Sequence, residues 1–359
     1  MRTKNKLIGL ILSCMLVVTV LSGCALGGNV NTKSVGQFKA DAAVAAAGDS
    51  DEMGAYLFVH FTGTEGSVND EQVYFSVSTD GTTWDTLNRK KQILTSNVGE
   101  GGVRDPHIIR SPDGSKFFMI ATDLSIYNRH GAWGESQTKG SKSIVVWEST
   151  DLVTWSEPRL CKIAHDNAGC TWAPESIYDY ERNQYMVFWA SKTNDNADDW
   201  RHRLFRCYTS DFVTFSEPEV YMESNEQLID TTFLYEDGVY YRFTKNETRT
   251  YVYMEKGTSL NGEFEAVSTF TMNGASGTSY TGYEGPTAYK INGENKWCLL
   301  LDNYGTGQGY KPFVTDDITT GRFVSGGDFK FNGVKLRHGT VMPITTAEYN
   351  ALLAAYPIA

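Results

Sequence analysis

The sequence predicts an all-β fold, a five-bladed β-propeller whose last blade is closed by strands from both ends of the chain. Three observations carry that expectation. One aromatic-rich strand recurs five times: AYLFVHF from Ala55, SKFFMIATD from Ser115, NQYMVFWAS from Asn183, GVYYRFTKN from Gly238 and NKWCLLLDN from Asn295. Each copy is followed by a strand ending in a polar turn that leads to an aromatic residue. The clear cases are Ser78 to Trp84, Ser149 to Trp155 and Thr209 to Phe215, with looser copies ending at Phe264 and Phe323. Finally, 20 Tyr, 18 Phe and 8 Trp favour strands over helices. Short strands in units of roughly 50 residues mark propeller blades, each a small antiparallel sheet.

The unit is clearest at Val103 to Asp123. Asp105 stands between Arg104 and Pro106, a short apolar strand follows, Ser111-Pro112-Asp113-Gly114 turns, and an aromatic strand returns. Pro fixes φ while Asp and Gly tolerate the turn, so the segment reads as strand, hairpin turn, strand. Equivalent inner strands are expected after Glu175, Asp230 and Glu284. The Ala55 copy has no inner strand before it, and a spare strand, LRHGTVMPIT from Leu336, lies at the far end. The closing blade is therefore expected to place that C-terminal strand innermost and to complete its sheet with the Ala55 to Trp84 hairpin. Such a clasp removes an open edge. The turn aspartates are expected to cap the third strand of a blade, with the following ring packed between blades. Helical periodicity is confined to Thr345 to Ala355, one or two turns.

Arg2, Lys4 and Lys6 precede an apolar run from Leu7 to Leu21, and Ser22-Gly23-Cys24 follows. A basic start, an apolar core and small residues make an export signal, to be set aside from the fold. Its ending resembles a bacterial lipobox, which implies loss of residues 1–23 and lipidation of Cys24. Two or more acyl chains anchor a protein stably, whereas the run is shorter than the ~20 residues a spanning helix needs. Residues 24–52, rich in Gly, Ala, Ser and Asn, read as a flexible tether, and residues 53–359 as the propeller. The expected location is the bacterial cell surface, anchored to the membrane and outside the cytoplasm. A monomer is expected.

The mature part carries no block of Lys or Arg, and 43 Asp+Glu stand against 32 Lys+Arg. That balance repels phosphates and argues against a nucleic-acid partner. Export permits disulfides. Cys161 and Cys170 flank a short segment; a bridge between them and free buried thiols at Cys161, Cys170, Cys207 and Cys298 are both open readings. No C-x-x-C pair is present, so a zinc site is not expected.

In a propeller the inner strands line the axis and their starts crowd one mouth. Aligning the units places there Asp105 in VRDPHI, Trp172 to Glu175 in TWAPES, Asp230 in LIDTTF, Glu284 in YEGPTA, and His338 in LRHGTV. Glycoside hydrolysis asks for such a set: one carboxylic acid protonates the leaving oxygen, and a second carboxylate activates water or attacks carbon. A third carboxylate can raise the acid's pKa, since close like charges disfavour ionisation. Asp123 and Asp302 end second strands and read as structural. Trp172 can stack on a sugar face or serve as propeller core. Trp133 and Trp200 lie in polar loops of the kind that carries specificity.

RDPHI, WAPES, IDTTF and EGP, in that order on five units, resemble glycoside hydrolase family 43, over residues 55 to 345. The resemblance implies an inverting, five-bladed glycosidase acting on arabinose- or xylose-containing plant glycans. It implies that Asp105 is the general base, that Asp230 tunes and orients the acid, and that Glu284 is the general acid. Trp172, Glu175, Arg337 and His338 are the expected substrate contacts; a structural salt bridge for Glu175 and an ordinary core histidine bonded across strands for His338 are equally open readings. His338 matches a central histidine that in some members neighbours a water-bound cation, often calcium; no cofactor is required. Two departures stand out: a whole hairpin precedes the base motif, and Glu175 stands where Asp is commoner. The alternative reading is a surface glycan-binding propeller without turnover, against which the presence of all three acids argues.

Overall fold

The structure, a computed structural model, describes residues 53–194 and 200–358. The export signal, Cys24 and the tether lie outside the described residues. Described strands form five sheets, each with one strand on a common axis: Val103–Arg110, Trp172–Asp179, Leu228–Glu236, Glu284–Lys290 and Arg337–Ile344. These inner strands touch their neighbours in a closed ring. We call the blades first to fifth in that order.

The closing blade is built as the sequence implies. Arg337–Ile344 is innermost, Ala55–Phe61 pairs antiparallel with it, and Tyr74–Ser78 and Thr83–Thr86 follow outward. Two sheets extend beyond the expected strands. Lys330–Asn332 adds a parallel strand outside Thr83–Thr86, and Thr271–Met272 with Ala275–Ser276 extends the fourth blade past Arg322–Ser325. These pieces are two or three residues long and lack the aromatic signature, so periodicity does not reveal them.

The tail is longer than expected. Thr346–Ala355 forms a ten-residue α-helix. Thr345 Oγ1 accepts from Glu348 N at 3.1 Å, and Glu348 Oε2 accepts from Thr345 N at 2.8 Å. This reciprocal capping box satisfies two helix-end donors. Arg110 on the first blade's inner strand grips Glu348 through two hydrogen bonds of 2.6 and 2.7 Å, and Leu352 is buried between the fifth and first blades. The helix thus bolts the clasp to its neighbour.

The core lies between blades. Separate apolar clusters fill the five interfaces, with Trp147 and Phe75 between fifth and first, Trp189 and Phe212 between first and second, and Phe243 and Phe323 between third and fourth. The turn rings belong to this layer: Trp84 is fully buried edge-on to Tyr289, and Trp155 packs edge-on to Phe75. The turn aspartates hold the backbone beneath them. Asp80 accepts from Thr82 N and Thr83 N at 2.7 and 2.6 Å; Asp151 and Asp211 repeat the pattern.

All four cysteines among the described residues are free and buried, which settles the open reading against a Cys161–Cys170 bridge. Cys170 Sγ lies 3.7 Å from His202 Nε2 instead.

Candidate active site

At one end of the axis each inner strand breaks register with the strand outside it. The breaks fall at Arg104/His107, Trp172/Glu175, Ile229/Thr231 and Glu284/Thr287, and between Val59 and Phe61 opposite Arg337. In four of the five blades a left-handed residue sits at the break: Asp105 (φ 50°), Ala173 (φ 47°), Asp230 (φ 45°) and Gly285 (φ 53°). A bulge of this kind re-aims side chains. For a non-glycine residue the conformation costs on the order of 1 kcal/mol, a strain that clusters at functional sites. Gly285 has no substitute, because a Cβ there would lie 2.6 Å from the His338 ring.

The bulges open onto a cavity of about 360 Å³ whose lining includes Asp105, Asp230, Glu284, Trp172, Arg337 and His338. The three carboxylates, from the first, third and fourth blades, therefore share one hollow. Glu175 does not line it. Its carboxylate lies one layer deeper, 3.6 Å from His107 Nδ1, in a second cavity on the axis. Trp133 lines the mouth and meets Trp172 edge-on at 6.3 Å, while Trp172 stacks on His202 at 5.4 Å. Trp200 lies outside the lining.

Each acid is held differently. Asp105 Oδ2 accepts from Thr122 Oγ1 at 2.8 Å, and Oδ1 lies 3.3 Å from His338 Nδ1. Burial works against its charge, but His338, Arg104 and Thr122 outweigh it and hold the carboxyl below the usual range. The adjacent Arg104 is not its partner: that guanidinium pairs with Glu71 at 2.8 Å and Glu65 at 3.2 Å, over the Phe61 and Trp133 rings. Asp230 Oδ2 accepts from Gly285 N at 3.0 Å and lies 3.8 Å from His338 Nδ1. Burial, reinforced by Glu284 and Asp105 against the pull of His338 and Lys245, pushes Asp230 up to about 7.

Glu284 lies between two cations. Lys245 Nζ is 2.9 Å from Oε2 and Arg337 Nη2 is 3.2 Å from Oε1. Burial opposes ionisation, yet Lys245 and Arg337 prevail and keep the carboxyl below its ordinary value. Arg337 is tethered in turn to buried Asp302 through Nε. His338 is the hub: burial would lower it, but Asp230, Asp105 and Glu175 raise it to about 10. Glu175 beneath it is pushed up to about 8, chiefly by burial.

No group of three or more His, Cys, Asp or Glu side chains among the described residues is arranged to hold a metal ion. His338 instead directs Nδ1 at two carboxylates.

Several functional residues lie outside the inner-strand starts that the sequence singled out. Phe61, Thr122, Lys245 and Asp302 come from the ends of second strands, facing Arg337, Arg104, Ile229 and Glu284 across the sheet. They form a supporting ring: Phe61 under Arg104 and Arg337, Thr122 on Asp105, Lys245 on Glu284, Asp302 on Arg337. Cross-strand pairing with the mouth positions is the signal that would have found them.

Three carboxylates on one mouth, spread in pKa by burial and by each other, on five blades, define a glycosidase-type propeller. Residues 51–350 match the family 43-related profile described as "Probable glycosyl hydrolase domain", and the chain belongs to that family. An α-L-arabinofuranosidase of Bifidobacterium longum is 32% identical over 272 residues, 65% of this chain and 25% of the relative. The chain thus spans about a quarter of that curated relative's length. Among solved structures, an α-L-arabinanase of Cellvibrio cellulosa aligns at 14% identity over 73% of this chain and 89% of that one, with a TM-score of 0.48. The catalytic domain of a family 62 α-L-arabinofuranosidase of Coprinopsis cinerea aligns at 11% identity over 71% and 75%, with a TM-score of 0.44. Overlap that loose adds nothing to what the blades already show.

Proposed function

We propose that the domain hydrolyses glycosides with inversion, acting on arabinose- or xylose-containing plant polysaccharides or their oligomers. The observation that carries this reading is the meeting of Asp105, Asp230 and Glu284, from three blades, in one cavity. In the proposed mechanism Asp105, ionised, takes a proton from a water that attacks the anomeric carbon. Glu284 gives a proton to the departing oxygen. Asp230, bonded to the amide of Gly285, fixes the backbone beside Glu284 and favours a proton in the pair. Inversion requires room for the water, with carboxyl groups ~6.5–9.5 Å apart. A neutral sugar suits the lining: Arg104 and Arg337 are already paired with carboxylates, and Trp172 and Trp133 offer apolar faces. The likeness to a protein described as an α-L-arabinofuranosidase supports arabinose over xylose as the sugar.

We further propose that the protein is exported and lipid-anchored through Cys24 at the cell surface. The basic-apolar-small pattern of residues 1–24 supports this. Among the described residues no helix is long and apolar enough to cross a membrane. Globomycin-sensitive processing, read by mass spectrometry of the membrane fraction, tests it; a Cys24→Ala protein that stays on the membrane would refute it.

Screening chromogenic α-L-arabinofuranosides, β-xylosides and galactosides tests the activity. Glu284→Gln should abolish hydrolysis of unactivated substrates while binding persists. A glycan-binding propeller without turnover would show no hydrolysis in the wild type and no effect of the substitution.

A further inference from the structure

A general acid must hold a proton when its substrate arrives. Glu284 is placed so that it does not. Lys245, on the second strand of the third blade, is almost wholly buried, and its ammonium group lies 2.9 Å from Glu284 Oε2. An ammonium at that distance favours the carboxylate over the acid. The same Nζ lies 2.7 Å from Glu247 Oε2 and 4.2 Å over the Tyr304 ring. Glu247 and Tyr304 both line the mouth, as Glu284 does. The second cation, Arg337, has no such freedom, because Asp302 holds its Nε from behind. Of the two charges on Glu284, one is fixed and the other stands between two acceptors.

We propose that Lys245 is a positioning residue that governs when Glu284 can carry its proton: it rests between Glu284 and Glu247, and a glycoside seated against Glu284 shifts it to Glu247. This rests on the reading of Glu284 as general acid. The glycosidic oxygen must approach Glu284 from the cavity, where the carboxyl is partly open; it can only accept a hydrogen bond, so it favours the carboxylic acid, whose neutral oxygens hold the ammonium more weakly than Glu247 does. Lys245 stays charged throughout, because Glu247 receives it. Glu284 takes its proton from solvent at the mouth, gives it to the leaving oxygen, and returns to the resting pair with Lys245 when product departs. The acid is then armed only by a bound substrate.

The groups that face Glu284 fix the sign of the test. Lys245 comes from the third blade, Arg337 and His338 from the fifth, Asp302 and Tyr304 from the fourth, and Asp230 and Glu247 border the same pocket. Removing Lys245 takes away the nearest positive charge, so the basic limb of the kcat/KM profile should move to higher pH. Removing the charge of Glu247 leaves Lys245 to Glu284 alone, so the limb should move to lower pH.

The experiment compares pH profiles of wild type, Lys245→Met and Glu247→Gln on an arabino-oligosaccharide. The expected result is opposite displacement of the basic limb, by about one pH unit each. Glu247 is partly exposed, so Glu247→Gln should fold even where the buried Lys245→Met does not, and its shift alone decides. Unmoved limbs with only a lower kcat would overturn the proposal, since a merely structural lysine predicts that. Glu284→Gln on an aryl arabinofuranoside with a nitrophenolate leaving group separates this from the underlying reading. Such a leaving group needs no proton, so activity there should survive far better than on the oligosaccharide. Equal loss on both substrates would remove Glu284 as the acid and overturn both claims.

Discussion

Two sets of acids in this molecule come from the same repeating unit and have opposite fates. Asp80, Asp151 and Asp211 sit in the outer turns; Asp105, Asp230 and Glu284 sit at the axial mouth. Each outer aspartate accepts two backbone N–H groups from the residues two and three ahead. Asp80 is the deepest of them: its burial works against ionisation, but those amides and Ser78 bring it down to about 2. The mouth acids face one another and a shared histidine instead, so their pKa values split, Asp105 and Glu284 falling while Asp230 rises to about 7. An acid surrounded by amides is a turn. An acid surrounded by other titratable groups can move protons.

The comparison breaks most plainly through paired substitutions. Asp105→Asn and Glu284→Gln should each lower kcat on an oligosaccharide by about 10²–10⁴ fold. Asp80→Asn should leave kcat unchanged and lower stability by at most about 1 kcal/mol in a urea titration. Comparable activity losses at both sets would erase the distinction. Gly285→Ala tests the bulge itself. The added methyl would meet the His338 ring at a left-handed φ, so stability should fall by on the order of 2 kcal/mol and kcat by at least 100-fold.

Stability against pH should separate Asp230, Glu175 and His338 on the axis from the outer turn aspartates by sign. Folded Asp230 titrates near 7 and folded Glu175 near 8, whereas both lose their protons near pH 4 in an unfolded chain. Between those values the folded state binds more protons, so each contributes stability below about pH 4 that is lost as pH rises through 7 and 8. His338 behaves alike, its contribution present below about pH 6.5 and lost as pH rises through about 10. Asp80 runs the other way: its contribution is present above about pH 4 and lost as pH falls through 2. His60, His107 and His202, lowered by burial, contribute in the opposite sense over the same interval, so the test is a difference between variants: from pH 5 to pH 8 the Tm of Glu175→Gln should fall less, or rise more, than that of the wild type, and Asp80→Asn should follow the wild type. A pH slope that Glu175→Gln leaves unmoved would contradict the assigned surroundings.

The blades and the closing clasp were legible because aromatic strands and Asp turns repeat, and repetition survives reading one residue at a time. The mouth acids were legible for the same reason, each standing just ahead of an inner strand. What escaped was geometry across the sheet. Lys245 reads as the polar end of GVYYRFTKN, and nothing local says that its ammonium reaches a neighbouring blade's glutamate. Glu71, fully buried and gripping Arg104, lies in a loop sequence that looks exposed. Glu175 was placed at the mouth by alignment, but the bulge at Ala173 puts its carboxylate one layer deeper. The short strands at Lys330 and Thr271 carry too few residues to show a period.

Proton NMR of the product formed first from an arabinofuranoside or arabino-oligosaccharide tests the joint action of Asp105 and Glu284 most directly. Single displacement by a water on Asp105 predicts the anomer opposite in configuration to the substrate, appearing before mutarotation. A first product of retained configuration would contradict the account, as would turnover that persists undiminished in Asp105→Asn.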